Sequence, residues 1–289
     1  MKGIILAGGT GSRLWPLTLG VSKQLMPVYD KPMIYYPLST VMLAGCKEIA
    51  IVVSPQQEKG FVKLLGDGSH LGVQIDFMHQ DEPRGLADAY LVCEEFLAGD
   101  SSCMALGDNL IYGSGLGSQL RSVFPLNGGL IFGYKVSNPQ EYGVVVRDPN
   151  GRPVRLVEKP EKFISDLAVP GLYFLDSSAS ERARKLKPSA RGELEITELL
   201  QAYLNDDLLE VRSMPRGTVW LDTGSFEAMA EATEYVKVVQ KREGRKISSP
   251  EEIAWRLGLI SDRELINLGN KLEKSGYGRY LLSLAEERF

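Results

Sequence analysis

Short apolar runs alternate with amphipathic segments through the first 127 residues of the chain. The runs that predict buried strands cover residues 4–7, 49–53, 73–78 and 103–106, and the segments that predict helices cover residues 33–44, 56–65 and 86–96. Strands that alternate with helices predict a mostly parallel sheet with helices on both faces. Ligands of such sheets bind beyond the carboxyl ends of the strands, so we expect a site there.

The pattern changes after residue 127. Close-spaced apolar runs, separated by turn residues, predict strands at residues 130–136, 143–147, 154–158 and 171–174. Their spacing favours a more antiparallel region that forms a second wall of the site. Beyond it, the sequence predicts a helix at residues 193–205, strands at 209–213 and 219–221, and a long amphipathic helix at 226–243.

The end of the chain predicts a group of short helices. Ser249-Pro250-Glu251-Glu252 has the form of a capping box with proline at the first helical position, and Ser261-Asp262-Arg263-Glu264 has the form of a second one. Residues 281–287 predict a third helical piece. We therefore expect a small helical appendage after the α/β body.

Composition and charge narrow the class of protein. A length of 289 residues suffices for one large α/β domain or two modest ones, and a net charge of −4 gives no overall basic field for nucleic acid. Cys46, Cys93 and Cys103 include no close pair, which argues against a disulfide framework or a zinc site and fits a reducing cytosol. The apolar runs are too short for a signal peptide or a membrane helix. We expect a cytoplasmic protein without a membrane or nucleic-acid partner.

A glycine-rich loop directly follows the first predicted strand. Gly8, Gly9 and Gly11 leave the backbone N–H groups accessible, and such a row of N–H groups favours phosphate. Arg13 and Lys23 add positive charge within the same segment. Neither the Walker pattern nor the dinucleotide fingerprint is complete here. The loop predicts a polyphosphate site, and a glycine-rich turn without any ligand is the alternative.

Two aspartates follow apolar runs in the same manner. Asp108 comes after residues 103–106, and Asp222 comes after residues 219–221. Carboxylates at strand ends, together with a phosphate loop, favour a magnesium site, because Mg²⁺ takes one or two carboxylates plus substrate phosphates. Each aspartate alone is also typical of a helix N-cap or a turn.

Other charged groups allow two interpretations each. Glu158-Lys159 ends a predicted strand and fits either a solvated surface pair or a pair that holds a sugar hydroxyl and a phosphate. Residues 191–195 fit either a loop at a sugar site or a charged helix start, and we favour the helix start.

His70 and His79 are too scattered for a histidine-based mechanism. Motifs of acyl transfer and zinc hydrolysis are missing from the sequence.

Eight motifs along the chain carry a family resemblance. They are GIILAGGTGSRL at 3–14, SKQLMPVYDKPMIYYP at 22–37, LGDN at 106–109, YGVV at 142–145, VEKP at 157–160, GLYF at 171–174, RGELEIT at 191–197 and WLDTG at 220–224. Through these motifs, which follow one another in the family's order and span most of the sequence, the chain resembles the sugar-nucleotide pyrophosphorylases. The resemblance is strongest to those that use dTTP and glucose 1-phosphate.

The resemblance implies a fold and a division of the chain. The fold would be the α/β nucleotidyltransferase fold, a Rossmann-like, mostly parallel mixed sheet flanked by helices, with a sugar-binding insertion and a small C-terminal helical appendage. Residues 1–243 would form the catalytic domain, with nucleotide binding in 1–127 and the sugar-binding wall mainly in 128–225. Residues 244–289 would form a helical segment with an oligomeric or regulatory role.

The resemblance also implies an activity. The enzyme would transfer a thymidylyl group from dTTP to α-D-glucose 1-phosphate with Mg²⁺ as cofactor, giving dTDP-glucose and pyrophosphate. This step would lead toward dTDP-deoxysugars such as dTDP-rhamnose, in a homotetramer with a second nucleotide-sugar site for product inhibition. A uridylyltransferase that prefers UTP is the nearest alternative, and a non-catalytic nucleotide-sugar sensor is the other.

The resemblance assigns roles to residues of this chain. The residues that would bind the nucleotide are Gly8, Gly9, Thr10, Gly11, Ser12, Arg13, Lys23, Gln24, Gln80, Gly85 and Asp108. The residues that would bind the sugar phosphate are Asn109, Gly143, Glu158, Lys159, Val169 and Tyr173. Asp108 and Asp222 would hold Mg²⁺, and the catalytic group would comprise these two aspartates with Arg13, Lys23 and Lys159.

Overall fold

A computed structural model describes residues 1–9 and 11–287 of the chain. The strands are β1 Lys2–Leu6, β2 Pro27–Val28, β3 Lys31–Pro32, β4 Glu48–Val53, β5 Gln74–His79, β6 Ser102–Leu106, β7 Asn109–Tyr112, β8 Gly129–Lys135, β9 Gly143–Arg147, β10 Pro153–Glu158, β11 Leu167–Ala168, β12 Leu172–Leu175, β13 Leu209–Ser213 and β14 Val219–Asp222. The helices are α1 Tyr35–Leu43, α2 Glu58–Leu65, α3 Asp88–Val92, α4 Glu94–Leu97, α5 Leu116–Arg121, α6 Ala179–Arg184, α7 Ile196–Asn205, α8 Phe226–Glu243, α9 Pro250–Arg256, α10 Asp262–Lys271 and α11 Gly276–Glu286.

One mixed sheet organises the fold. Its order is β10-β9-β11-β8-β12-β6-β1-β4-β5, and β13 pairs with β8 outside this path. Strands β6, β1, β4 and β5 are parallel, whereas β12 is antiparallel to both β6 and β8 and joins the parallel part to the antiparallel part. The prediction of a mostly parallel mixed sheet is confirmed, and so is the more antiparallel region after residue 127.

The central strands are buried on both faces, as their continuous apolar runs predict. On one face, Ile5 and Ile51 belong to the same hydrophobic cluster as residues of α1. On the other face, Ile4 and Val52 belong to a second cluster with residues of α3, α6 and α7. Because β1 and β6 run parallel, their carboxyl ends lie at the same edge of the sheet, where a site can form.

The terminal helices pack against the α/β body. Ile253 and Trp255 of α9, Leu265 of α10 and Leu281 of α11 are buried in the same cluster as α1. Ser261 forms the complete capping box that the sequence predicts. The predicted box at Ser249 is half formed, because the Ser249 side chain accepts from the Glu252 N–H while the Glu252 carboxylate accepts from Tyr280 and Arg256.

Some predicted elements differ from the structure. In place of the single helix predicted at residues 86–96, the structure has the two short helices α3 and α4, because the backbone leaves the helical conformation at Cys93 (φ −94°, ψ 9°). The helix predicted from residue 193 begins at Ile196, since Glu195 is extended (φ −76°, ψ 136°). Strand β14 is predicted, at residues 219–221, but β7, its antiparallel partner, is not.

Two expectations about the chain concern its environment. Within residues 1–9 and 11–287, the helices are too short or too polar to cross a bilayer. Cys46, Cys93 and Cys103 are buried free thiols.

Candidate active site

Two adjoining cavities open at the carboxyl ends of the central strands. We call the larger one, of about 360 Å³, the main cavity, and the smaller one, of about 170 Å³, the phosphate-loop cavity. The predicted site residues that line the main cavity are Gly8, Arg13, Lys23, Gln24, Asp108, Asn109, Gly143, Glu158, Lys159, Val169, Tyr173 and Asp222. The phosphate-loop cavity is lined by Gly8, Gly9, Gly11, Ser12, Arg13, Lys23, Gln24 and Gly224. Within the described part of the chain, all the predicted site residues except Gln80 and Gly85 are therefore brought together at these two cavities.

The glycine-rich loop is held open after β1. Gly9 has φ +99°, a conformation that glycine adopts without the steric cost of a Cβ. The loop is fixed by a hydrogen bond of 2.8 Å from Thr18 Oγ1 to the Gly11 carbonyl. The Arg13 guanidinium packs against Gly224, where a Cβ would lie 2.9 Å from Arg13 Nη2. Thr10, a predicted nucleotide-binding residue, lies outside the described residues.

Asp108 is held by a chain of hydrogen bonds at the end of β6. Lys23 Nζ donates to one carboxylate oxygen of Asp108, and Asn109 Nδ2 donates to the other at 3.0 Å. Asn109 Oδ1 in turn accepts from the Gly171 N–H at 3.0 Å and from Trp220 Nε1 at 2.6 Å. The buried Asn109 amide thus fixes the direction of the Asp108 carboxylate.

Asp222 faces the same cavity from the end of β14. Residue Asp222 lies opposite Asn109 in the β7–β14 ribbon, and the Thr223 hydroxyl donates to the Asp108 carbonyl at 2.7 Å. Burial raises the pKa of Asp222 to about 6, and the negative charge of Asp108 adds to the effect while Lys23 and Arg13 oppose it. Two carboxylates therefore share one buried region.

The pKa of Asp108 moves in the opposite direction. Burial by itself would raise it, but the attraction of Lys23 and the hydrogen bonds from Lys23 and Asn109 hold the pKa of Asp108 below its usual value. A carboxylate that stays ionised beside a second acidic group is the arrangement that attracts a cation.

Asp108 and Asp222 are the two carboxylates that could serve as donors to a metal ion here. Within the described part of the chain, no group of three or more His, Cys, Asp or Glu side chains converges on one point. A pair of aspartates fits Mg²⁺, which commonly keeps several waters and binds one or two carboxylates plus substrate phosphates. It does not fit a metal that requires a complete cage of protein ligands.

Glu158 and Lys159 form another part of the wall of the main cavity. The backbone of Lys159 has φ +41°, an uncommon conformation for a residue with a Cβ, and its N–H donates to the Tyr142 carbonyl at 3.0 Å. Its Nζ lies 3.9 Å from Glu158 Oε1. Burial raises the pKa of Glu158, and Lys159 opposes that rise. Both side chains line the main cavity, so they form more than a surface pair.

Residues 191–195 form a loop at the main cavity, so the favoured interpretation as a helix start is wrong. Arg191 Nη2 donates to both carboxylate oxygens of Glu195, at 2.9 and 2.8 Å, and lies 3.8 Å from Glu158 Oε1. Ser189 Oγ donates to Glu195 Oε1 at 2.7 Å. The buried Glu195 therefore holds the Arg191 guanidinium over the cavity. Neither residue is among the predicted site residues.

An aromatic wall completes the main cavity. Tyr142 and Trp220 line it with ring centroids 4.8 Å apart, and Tyr134 packs on Trp220 at 5.7 Å. The prediction omits Tyr142 and Trp220 from the site residues. The sequence does carry a signal for both residues. Tyr142 directly precedes Gly143, and Trp220 lies two residues before Asp222, within motifs that supply other site residues.

Of the predicted residues Gln80 and Gly85, only Gln80 lines a third cavity, which we call the outer groove. It has a volume of about 330 Å³ and meets the phosphate-loop cavity at Gly9. Gly85 has φ +100°, and a Cβ there would collide with the Leu194 backbone. Leu194 also bonds through its N–H to the Arg84 carbonyl at 2.7 Å. The segment after β5 is thus anchored to the loop that carries Arg191.

The chain is similar to known enzymes over nearly its whole length. A family model described as "Nucleotidyl transferase" matches residues 2–238. A glucose-1-phosphate thymidylyltransferase of Mycobacterium tuberculosis is 52% identical over 286 residues, covering 99% of both chains. One of Neisseria meningitidis is 49% identical over 288 residues, covering 99% of this chain and 100% of that one. A crystal structure of a Bacillus anthracis protein in complex with sucrose has a TM-score of 0.75 at 34% identity, covering 81% of this chain and 94% of that chain.

Proposed function

The chain belongs to the nucleotidyl transferase family, and we propose that it is a glucose-1-phosphate thymidylyltransferase. It transfers the thymidylyl group of dTTP to glucose 1-phosphate and releases pyrophosphate. The observation that carries the proposal is the shared border of two cavities: Gly8, Arg13, Lys23 and Gln24 line both of them. A triphosphate on the glycine-rich loop and a sugar phosphate in the main cavity meet at that border.

The phosphates are held by positive groups on both sides. In this proposal, Arg13 and Lys23 bind the triphosphate, and Lys159 and Arg191 bind the phosphate of glucose 1-phosphate. The sugar ring lies against Tyr142 and Trp220, whose rings form an apolar wall of the main cavity. Glu158 accepts hydrogen bonds from sugar hydroxyls.

The reaction requires no nucleophile from the protein. A phosphate oxygen of glucose 1-phosphate attacks the α-phosphorus of dTTP in line, and the bond from that phosphorus to the pyrophosphate oxygen breaks. Pyrophosphate leaves with the electron pair of this bond. Arg13 and Lys23 neutralise charge on the phosphates, so positioning and electrostatics supply the catalysis.

Magnesium is part of the proposal. Asp108 and Asp222 would hold the ion, which supplies charge neutralisation at the phosphate oxygens when bound. The fit is supported by the two carboxylates in one buried region and by the raised pKa of Asp222, which indicates that a positive charge would be favourable there. Lys23 keeps the Asp108 carboxylate oriented for this role.

Further properties are proposed from the resemblance. We propose a cytoplasmic homotetramer in which the helices after residue 243 contribute to assembly and to a second nucleotide-sugar site. The product, dTDP-glucose, would enter the synthesis of dTDP-deoxysugars such as dTDP-rhamnose. The similarity covers 99% of the Mycobacterium tuberculosis relative and 100% of the Neisseria meningitidis relative, so it includes the terminal helices and supports carrying over a role for them.

A nucleotide panel tests the proposal. Pyrophosphate release is measured with glucose 1-phosphate and MgCl₂ while dTTP, UTP, dCTP, ATP and GTP are compared. We expect fast release with dTTP and slower release with UTP, since one methyl group is worth about 1–3 kcal/mol in a pocket. Faster release with UTP would make the enzyme a uridylyltransferase, and no release with any nucleotide would favour a sensor.

A further inference from the structure

The side chain of Gln80 is oriented by two acceptors. Gln80 follows β5, and its Nε2 donates to Asp88 Oδ2 at 2.8 Å and to the Gly85 carbonyl at 3.3 Å. Asp88 is the first residue of α3 and is buried, with 6% of its surface exposed. Carbonyl and carboxylate oxygens only accept hydrogen bonds, so the nitrogen end of the Gln80 amide must face them.

The oxygen of the same amide therefore faces the other way. A Cβ placed on Gly8 would lie 3.6 Å from Gln80 Oε1, so this oxygen is directed at the glycine-rich loop. Gly8 lines both the main cavity and the phosphate-loop cavity. A base that reached Gln80 from this loop would therefore meet an acceptor, not a donor.

We propose that Asp88 is a positioning residue that selects the nucleobase by fixing the Gln80 amide. The inference rests on the proposed function and deepens it. Thymine and uracil carry an N–H at ring position 3, which can donate to Gln80 Oε1. Cytosine carries a lone pair there, so two acceptors would face each other. Asp88 thus favours pyrimidines with a ring N–H and disfavours cytosine without touching the base.

An exchange of one carboxylate oxygen for an amide nitrogen tests the assignment. In Asp88→Asn, the new amide can present either a donor or an acceptor to Gln80, so the Gln80 amide can turn its nitrogen toward the base. We expect the ratio of kcat/KM for dTTP over dCTP to fall about tenfold relative to wild type, with KM for glucose 1-phosphate unchanged. Glu94→Gln is the matched control, because it makes the same chemical change on the exposed α4, where Glu94 pairs with Arg184.

A second measurement needs no variant. The wild-type enzyme is assayed with N3-methyl-dTTP, which lacks the ring N–H but keeps both carbonyls of thymine. We expect at least about a tenfold lower kcat/KM than with dTTP. This result remains informative if Asp88→Asn fails to fold.

The possible outcomes separate the inference from the proposed function. A dTTP-to-dCTP ratio in Asp88→Asn equal to that of wild type, with or without a common loss for both nucleotides, would show a merely structural role for Asp88. Equal use of N3-methyl-dTTP and dTTP would also overturn the inference. In both cases an active wild-type enzyme leaves the proposed function intact, whereas a wild type that is inactive with dTTP overturns both.

Discussion

Lys31 is a buried ammonium group whose removal should change the pH dependence of stability. Only 3% of its surface is exposed. Its Nζ donates to Asp30 Oδ1 at 2.8 Å and to Gln240 Oε1 at 3.4 Å, and it lies 4.9 Å from the centroid of the Tyr36 ring. The other charged groups that act on it are Lys246, which pairs with Asp30, and Glu251 of α9.

The magnitude follows from the pKa of Lys31. Burial lowers this pKa from 10.5 to about 8, and Lys246 adds to the effect while Asp30 and Glu251 oppose it. Between these two values the unfolded chain binds more protons than the folded one, so stability rises with pH. The cost of the buried charge is about 3 kcal/mol at pH 8 and falls below about 1 kcal/mol at pH 10.

Urea unfolding of wild type and Lys31→Met at pH 8, 9 and 10 measures this effect. The free energy of unfolding of wild type relative to the variant should rise by about 2 kcal/mol from pH 8 to pH 10. Other titrations are common to both proteins and cancel in the difference. Lys47→Met, which removes an exposed lysine, should leave the difference from wild type constant over the same range.

A constant difference between wild type and Lys31→Met over this pH range would contradict the lowered pKa of Lys31. It would mean that Lys31 keeps its ordinary affinity for a proton in the folded protein. A difference that falls with pH would mean that Asp30 and Glu251 outweigh burial.

Three further substitutions test the site and the terminal helices. Asp222→Asn should lower kcat on the order of 100-fold, because the proposed metal would lose a carboxylate, and its urea midpoint should be no lower than that of wild type, because the raised pKa of Asp222 means that its buried charge destabilises the fold; a kcat near that of wild type would remove Asp222 from the proposed metal site. Lys159→Ala should raise KM for glucose 1-phosphate about tenfold and leave KM for dTTP unchanged, with the exposed Lys162→Ala as control; the reverse pattern would assign Lys159 to the nucleotide. Ser261→Ala should reduce the free energy of unfolding by about 1 kcal/mol, as judged by urea unfolding, because the capping box of α10 is lost, and an unchanged stability would contradict that role.

The sequence predicts those features that depend on neighbouring residues. The strands β1, β4 and β6 come from continuous apolar runs, and the glycine-rich loop after β1 comes from three glycines in four positions. Asp108 and Asp222 could be assigned to strand ends for the same reason. That both line one cavity could not be read from the residues alone, because it depends on the pairing of β7 with β14.

The sequence does not predict features that depend on distant contacts. Residues 191–195 have the composition of a helix start, but two backbone hydrogen bonds of Leu194, with Arg84 and Ala87, hold the segment as a loop. Glu252 has the spacing of a capping box, but the hydroxyl of Tyr280 and the guanidinium of Arg256 engage its carboxylate. The pairing of Asp88 with Gln80 likewise depends on the irregular segment at residues 81–87, which brings the two side chains together.

Phosphorus NMR of a single reaction detects the substrates and both products of the proposed function at once. Purified protein is incubated with dTTP, glucose 1-phosphate and MgCl₂, and the phosphorus signals are followed over time. The proposed function predicts that signals of dTDP-glucose and pyrophosphate grow in equal amounts while both substrates disappear. Persistence of both substrates, or release of phosphate from dTTP without formation of a sugar nucleotide, would contradict it.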